Sequence, residues 1–319
     1  MLLNYRYTMD LEFSQPVTDQ HFSIMCVPRD TERQRLLENR ITVEAVLADG
    51  TVQSAAAKAA IDGLGNPYVY GVIHEPHSSF CLISEGTVET GARQEESGGA
   101  AETGARQESS GGDAETGARQ EGSEVYALEG DSEGSGSSSL HEEFEDPASI
   151  ELVRYAVESS LTAAGPALAA LYSEWQKSAP EDASGKMLHY GNCVQAALSY
   201  ESGVTDVGTT AEQAVALGRG VCQDYAHVMI ALLRMAGIPA RYVTGMMQGE
   251  GESHAWVEAN CLGYWYGIDP TNALLINESY IKISHGRDYG DCMISRGIFS
   301  NPRAVQTMKV GVSVCPRRD

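Results

Sequence analysis

Along residues 1 to about 85 the apolar positions fall on every second residue. Tyr5, Tyr7, Met9, Leu11 and Phe13 alternate with polar neighbours, and Phe22, Ile24 and Cys26 do so again before Pro28. Ile41, Val43, Ala45 and Leu47 continue the pattern, as does Val69 to Ile73. A period of two turns one face of each strand to a core and the other to water. Several such strands bounded by turn residues predict a small β-sandwich-like domain over 1–85. The pattern then stops. Glu-Thr-Gly-Ala-Arg-Gln-Glu occurs at 89–95, 102–108 and 115–121 with Ser and Gly between the copies, and an acidic Ser/Gly run follows. With almost no apolar residue to bury, residues 86–146 read as an acidic, disordered insert. The repeat is also too polar for a solenoid, which needs a buried face in every unit.

From residue 147 the period changes to that of helices. Ile150 to Leu161, Ala167 to Lys177 and Met187 to Tyr200 carry it, and Thr210-Ala211-Glu212-Gln213 is a capping-box pattern that starts a short helix ending near Gly218. A long apolar helix opens at Cys222, runs to Met235 and is stopped by Gly237 and Pro239. Strands are predicted at 238–247, 253–260, 264–269 and 278–284, with a last one at 305–314. Helices packed on an antiparallel sheet make residues 147–319 an α+β domain.

The chemistry is concentrated at Cys222 and the hairpin behind it. A cysteine in the first turn of a helix sits among unpaired backbone N–H groups and the positive end of the dipole, both of which favour thiolate. In the hairpin, Ser253-His254-Ala255-Trp256-Val257-Glu258 turns through 260–263 and returns as Tyr264 to Asp269. With the turn centred between Cys261 and Leu262, His254 faces Asp269, and opposed side chains lie about 5 Å apart at Cβ. Asp269 then holds the imidazole, and the imidazole takes the thiol proton. The same register turns Ala255, Val257, Tyr266 and Ile268 to the core and sets Trp256 opposite Gly267, on the His254 face. His227 is five residues from Cys222, about 500° of rotation, and reads as a core histidine. His74-Glu75-Pro76-His77 reads as a domain-edge loop, because proline between the histidines prevents a helix.

Four segments, in order, resemble the transglutaminase-like superfamily of papain-related Cys–His–Asp enzymes: 218–227 (Gly-Arg-Gly-Val-Cys-Gln-Asp-Tyr-Ala-His), 236–243, 253–258 and Asp-Pro-Thr-Asn at 269–272. Gly-Arg-Asp-Tyr-Gly-Asp at 286–291 is similar to a signature of a bacterial branch, whose β-rich N-terminal domain the early strands also resemble. The resemblance implies a papain/transglutaminase-like core with Cys222 as nucleophile, His254 as base and Asp269 as its orienter. It implies thioester chemistry on peptide or isopeptide amides. Hydrolysis is the first reading; transfer to an amine, or a module that only binds, are the alternatives. The Cys222 N–H is the default oxyanion donor. Tyr200 resembles a recurrent family tyrosine that can supply a second, and Gln223 fills a family motif. Trp256 is placed to shield the ion pair.

Charge narrows the partners. Lys plus Arg number 22 against 44 acids, a net of −22, of which −13 lies in 86–146. That argues against nucleic acid or an anionic membrane and leaves a peptide or protein substrate. No run is long and apolar enough to span a bilayer, and the first ten residues lack the apolar stretch of a signal peptide. Seven cysteines without repeated spacing fit a reducing, cytoplasmic setting. No ligand spacing points to a metal or cofactor. The oligomeric state is open.

Overall fold

In a computed structural model the described residues are 1–91 and 147–318, so the acidic insert expected at 86–146 lies almost wholly outside them. The N-terminal strands are β1 (Leu2–Ile24), β2 (Gln34–Leu47), β3 (Val52–Ser54), β4 (Lys58–Ile61), β5 (Pro67–Ile73) and β6 (His77–Thr90). β1 shows the expected alternation: Leu3, Tyr5, Tyr7, Met9, Leu11 and Phe13 are buried. It is long enough to serve two sheets. Its first half pairs with β6, and after a register shift between Glu12 and Val17 its second half pairs with β5. This bend is what makes the domain sandwich-like, with Phe22 and Phe80 in ring contact at 5.0 Å.

The helices are α1 (Pro147–Ala156), α2 (Pro166–Trp175), α3 (Ala183–Ala197), α4 (Ala211–Leu217) and α5 (Cys222–Met235). Thr210 and Gln213 form the expected capping box on α4, and Gly218 ends it at φ 66°. Two short strands, β7 (Ser199–Tyr200) and β8 (Arg219–Gly220), pair in parallel, so residues 199–200 leave the helix predicted there. A five-stranded sheet, which carries the candidate catalytic residues His254 and Asp269, contains β9 (Ala240–Met247), β11 (His254–Cys261), β12 (Tyr264–Asp269), β13 (Leu274–Leu275) and β14 (Tyr280–Gly286) in the order β13-β12-β11-β9-β14. A short β10 (Gly249–Gly251) leaves it between β9 and β11 and joins the N-terminal sheet.

β15 (Ser295–Ser300) and β16 (Gln306–Pro316) correct the domain boundaries expected from the pattern. Both return to β1: β15 pairs with its second half, and β16 runs along its first, Tyr7 facing Val312 and Tyr5 facing Val314. Residues 295–316 therefore complete the N-terminal sheet rather than the 147–319 domain, and the boundary at 85 falls inside β6. The alternation of Val310, Val312 and Val314 fits any half-buried sheet and does not say which one.

Both faces of the five-stranded sheet are covered. α5, buried from Gln223 to Arg234, packs on one. On the other, Met246, Ile281 and Ile283 join the core of the N-terminal domain. Every residue of β14 is accordingly buried, as expected for a strand without a solvent face. The seam between the domains is polar at one end. Gln34 accepts from the Lys282 N–H and donates to its carbonyl, and Glu258 Oε2 accepts from Arg241 Nε at 2.6 Å and from Lys282 Nζ at 2.5 Å. Burial opposes the Glu258 charge, but Arg241 and Lys282 outweigh it and hold the carboxyl down to about 2. The stability this contributes is present above the ordinary carboxylate range and is lost as pH falls through about 2. Glu258→Gln strands two buried cations, and an expected loss of ~3–5 kcal/mol is measurable by urea unfolding.

Candidate active site

α5 starts where it does because Asp224 folds back over its first turn. Its Oδ2 accepts from the Val221 N–H at 2.7 Å and from Thr205 Oγ1 at 2.7 Å. Gly220 is required by this cap, since a Cβ there would lie 2.4 Å from the same oxygen. The cap places Cys222 at the first helical position, where the backbone N–H groups have no partner inside the helix and the dipole is positive.

His254 opens β11, and Asp269 closes β12. Their register corrects the sequence reading. The hairpin turns on Leu262 and Gly263, both at positive φ (55° and 89°), so Val257 faces Ile268 and Glu258, not Trp256, faces Gly267. The pairing is two residues from the one expected, and Asp269 is a diagonal neighbour of His254 rather than its direct opposite. A slip of two keeps the face, however, and His254 Nε2 still bonds Asp269 Oδ2 at 2.7 Å. Ala255, Val257 and Ile268 are buried as expected, but Tyr266 is 43% exposed, because the hairpin end projects past the core.

Asp269 is fully buried, and its carboxylate is saturated with donors. Oδ1 accepts from the Thr271 and Asn272 N–H groups at 2.9 and 3.2 Å; Oδ2 accepts from Asn272 Nδ2 at 2.7 Å and Tyr280 Oη at 3.0 Å as well as from His254. Burial would raise its pKa, but His254, Asn272 and Tyr280 hold it below the ordinary range. For His254, burial works against the charge, and the bond to Asp269 with the charges of Asp269 and Cys222 overcomes this and raises the imidazole to about 10. Asn272 stands in the Asp-Pro-Thr-Asn segment, where the sequence signalled it. Nothing in the sequence pointed to Tyr280, whose role depends on β14 passing beside β9.

Tyr200 lies on β7 against β8, which leads into Cys222; its hydroxyl is held above the ordinary range, by burial first and then by the Cys222 charge. Gln223 turns instead to the carbonyls of Asp206 and Val207, each at 3.4 Å. Trp256 is buried edge-on to Tyr280, ring centroids 5.5 Å apart, over a glycine (Gly245) whose Cβ would strike its ring at 2.3 Å. It therefore supports the Tyr280 hydroxyl on Asp269 rather than roofing His254 directly. His227 is fully buried, as expected, and accepts from the Tyr289 N–H at 3.2 Å; burial holds it down to about 4. The 286–291 segment is a closed loop in which Arg287 grips Asp291 through two bonds of 2.8 and 2.9 Å.

Cys222 and His254 open into a cleft of about 440 Å³. Tyr242 and Tyr289 line it from the catalytic side, and Leu11, Phe22, Ile298 and Met308 from the N-terminal sheet. The returning strands β15 and β16 thus build a wall of the site.

Two family models match the chain: one described as the transglutaminase-like superfamily over residues 172–270, the other as the bacterial transglutaminase-like N-terminal region over residues 3–89. Its core belongs to the transglutaminase-like superfamily. The core match includes Cys222, His254 and Asp269 but ends before Tyr280. The uncharacterized protein Rv2569c of Mycobacterium tuberculosis is 26% identical over 330 residues, covering 98% of this chain and 92% of that one. The uncharacterized protein ML0607 of Mycobacterium leprae is 42% identical over 113 residues, 32% of this chain and 40% of that protein's length. Among solved structures, "a Putative Cysteine Protease from Cytophaga hutchinsonii" superimposes with a TM-score of 0.66 at 21% identity, covering 100% of this chain and 93% of that one. This likeness confirms the α+β, papain/transglutaminase-like fold. No helix among the described residues is long and apolar enough to cross a membrane.

Proposed function

We propose that this transglutaminase-like protein is a cysteine peptidase or amidase with Cys222 as nucleophile, His254 as acid and base, and Asp269 as the group that orients His254. The observation that carries this reading is the bond from His254 Nε2 to a buried, donor-saturated carboxylate. It occupies one ring nitrogen and leaves Nδ1 as the atom for the sulfur. In the cycle, His254 holds the proton taken from Cys222 as an imidazolium, the thiolate attacks an amide carbonyl, and the oxyanion forms beside the Cys222 N–H at the helix start. His254 then protonates the leaving amine, a thioester remains, and water attacks it with His254 as base to release the acid and restore the thiol. The neighbouring Tyr200 hydroxyl is a second oxyanion donor in this scheme; Gln223 is not, since its amide faces the 206–207 carbonyls.

Hydrolysis is preferred to transfer; a solved structure that matches over the whole chain carries the description "Putative Cysteine Protease", which supports this reading. The seven free cysteines, three of them buried, support a reducing compartment. The test is to incubate the protein with a peptide library, with and without a lysine analogue, and to weigh the Cys222 adduct and its products. A thioester on Cys222 followed by free acid is expected. Products that carry the amine would overturn hydrolysis, and no adduct on Cys222 would overturn the nucleophile.

Tyr280 is proposed as a positioning residue. Tyr280→Phe removes one of the donors to Asp269 and should lower kcat/KM about tenfold, or ~1.4 kcal/mol, with KM unchanged. The Asp269 charge is then less shared and pulls harder on His254, so the alkaline limb of activity should move up. A rise in KM with kcat unchanged would place Tyr280 in substrate binding instead.

A further inference from the structure

A second cleft, of about 620 Å³, lies along the polar seam between the domains and includes none of Cys222, His254 and Asp269. Its floor carries an unbalanced charge. Arg29, Arg241 and Lys282 all line it, and Glu258 is the carboxylate between Arg241 and Lys282. The side chains of Arg241, Lys282 and Glu258 are only 12%, 7% and 15% exposed. Arg29 bonds Asn66 Oδ1 at 2.9 Å and His285 Nδ1 at 3.0 Å, both uncharged partners, and its Nε is buried with no partner. Asp62 also acts on Arg29, but its oxygens are taken by the Leu64 and Asn66 N–H groups and by Asn66 Nδ2. His285 adds no positive charge, because burial and then the charges of Lys282, Arg241 and Arg29 keep it neutral.

Three cations sharing so little negative charge in a recess is a costly arrangement without a counterion, since each buried ion forfeits several kcal/mol of hydration. Lys282 registers the strain: burial first, with Arg241 and Arg29 adding to it and Glu258 opposing, lowers it to about 7, so without a further counterion it is only partly charged at neutral pH. Arg241 meanwhile sits over the Trp265 ring, its Cζ 3.9 Å from the centroid, with its Nε on Glu258. Its two terminal nitrogens make no hydrogen bond among the described residues and form the fork that suits a planar or tetrahedral oxyanion. The acids at the mouth, Asp30, Glu32, Glu151 and Glu278, are exposed and neutralise the floor little. They do repel extended polyanions, which limits the ligand to a compact one.

We propose that this cleft binds a small molecule through a single oxyanion group, carboxylate or phosphate, seated between Arg29, Arg241 and Lys282. The volume is in the range of small-molecule sites, and Trp265 under Arg241, with Tyr264 elsewhere on the lining, offers aromatic surface for the rest of the ligand. The site is independent of the cysteine chemistry.

Calorimetric titration of the full chain with inorganic phosphate and, separately, with citrate at constant ionic strength tests this. Saturable one-to-one binding with Kd of about 1 mM or tighter is expected for at least one of the two, and the tighter one identifies the oxyanion. Arg241→Gln and Lys282→Met should each weaken it at least tenfold, and Cys222→Ala should leave it unchanged. Because either variant could also loosen the domain seam, hydrogen exchange on the unmodified protein gives a second readout. Saturating anion should slow exchange at 240–242 and 280–285 but not along 222–235. No saturable binding of either anion, equal binding in all variants, or protection spread over the whole chain would each overturn the proposal.

Discussion

Replacing Cys222 with alanine should lower kcat/KM by at least ~10³-fold, and by as much as ~10⁶-fold if the thiol acts in concert with His254, the scale found when a covalent nucleophile is lost. The fold should survive. Alanine is the best helix former, and the cap that starts α5 is made by bonds from the Val221 N–H and Thr205 Oγ1 to Asp224, which do not use the sulfur. Stability should therefore change by no more than ~0.5 kcal/mol, checked by urea unfolding beside the activity assay. All seven cysteines are free thiols, so bulk labelling is uninformative. Iodoacetamide labelling read residue by residue should single out Cys222 in the intact protein and lose its fastest site in the variant. Retained peptide cleavage in Cys222→Ala would remove the basis of the whole proposal.

Asp269→Asn should be the next most damaging change, with a loss of ~10²–10⁴-fold in kcat, because the amide keeps a hydrogen bond to the ring but not the charge. It also has a pH signature. In the intact protein the imidazole is raised to about 10, so the charged ring should persist through neutral pH and activity should fall as pH rises through about 10. Two of the influences that raise it come from Asp269. Removing that charge should bring the alkaline limb down toward the ordinary histidine range. Asp269 itself is held below the ordinary carboxylate range. Its contribution to stability is present above that range and is lost as pH falls below it, and the variant should lack this acid-side dependence. Measuring kcat against pH for both proteins checks the first point. An alkaline limb that does not move would show that Asp269 does not set the state of His254.

What the sequence determined by itself was local in origin. A period of two fixed the buried face of β1, and Gly237 and Pro239 fixed the end of α5. The Thr210–Gln213 box fixed the start of α4. The facing of His254 and Asp269 was legible for a related reason: the strand period is two, so even a register placed two residues away leaves both side chains on one face. The register itself was not legible, because the turn runs through Leu262 at positive φ, a conformation that sequence signals reserve for glycine or asparagine. Pairings between distant segments were also decided only in three dimensions. The alternation of residues 305–314 shows a half-buried strand, yet whether it lies on the catalytic sheet or returns across the chain to β1 depends on which edge is open. The same holds for Tyr280 on Asp269 and for the meeting of Arg29, Arg241 and Lys282. Each of these residues has an ordinary neighbourhood in the chain, and its partners are set by how two sheets pack, which no local pattern of polar and apolar residues encodes.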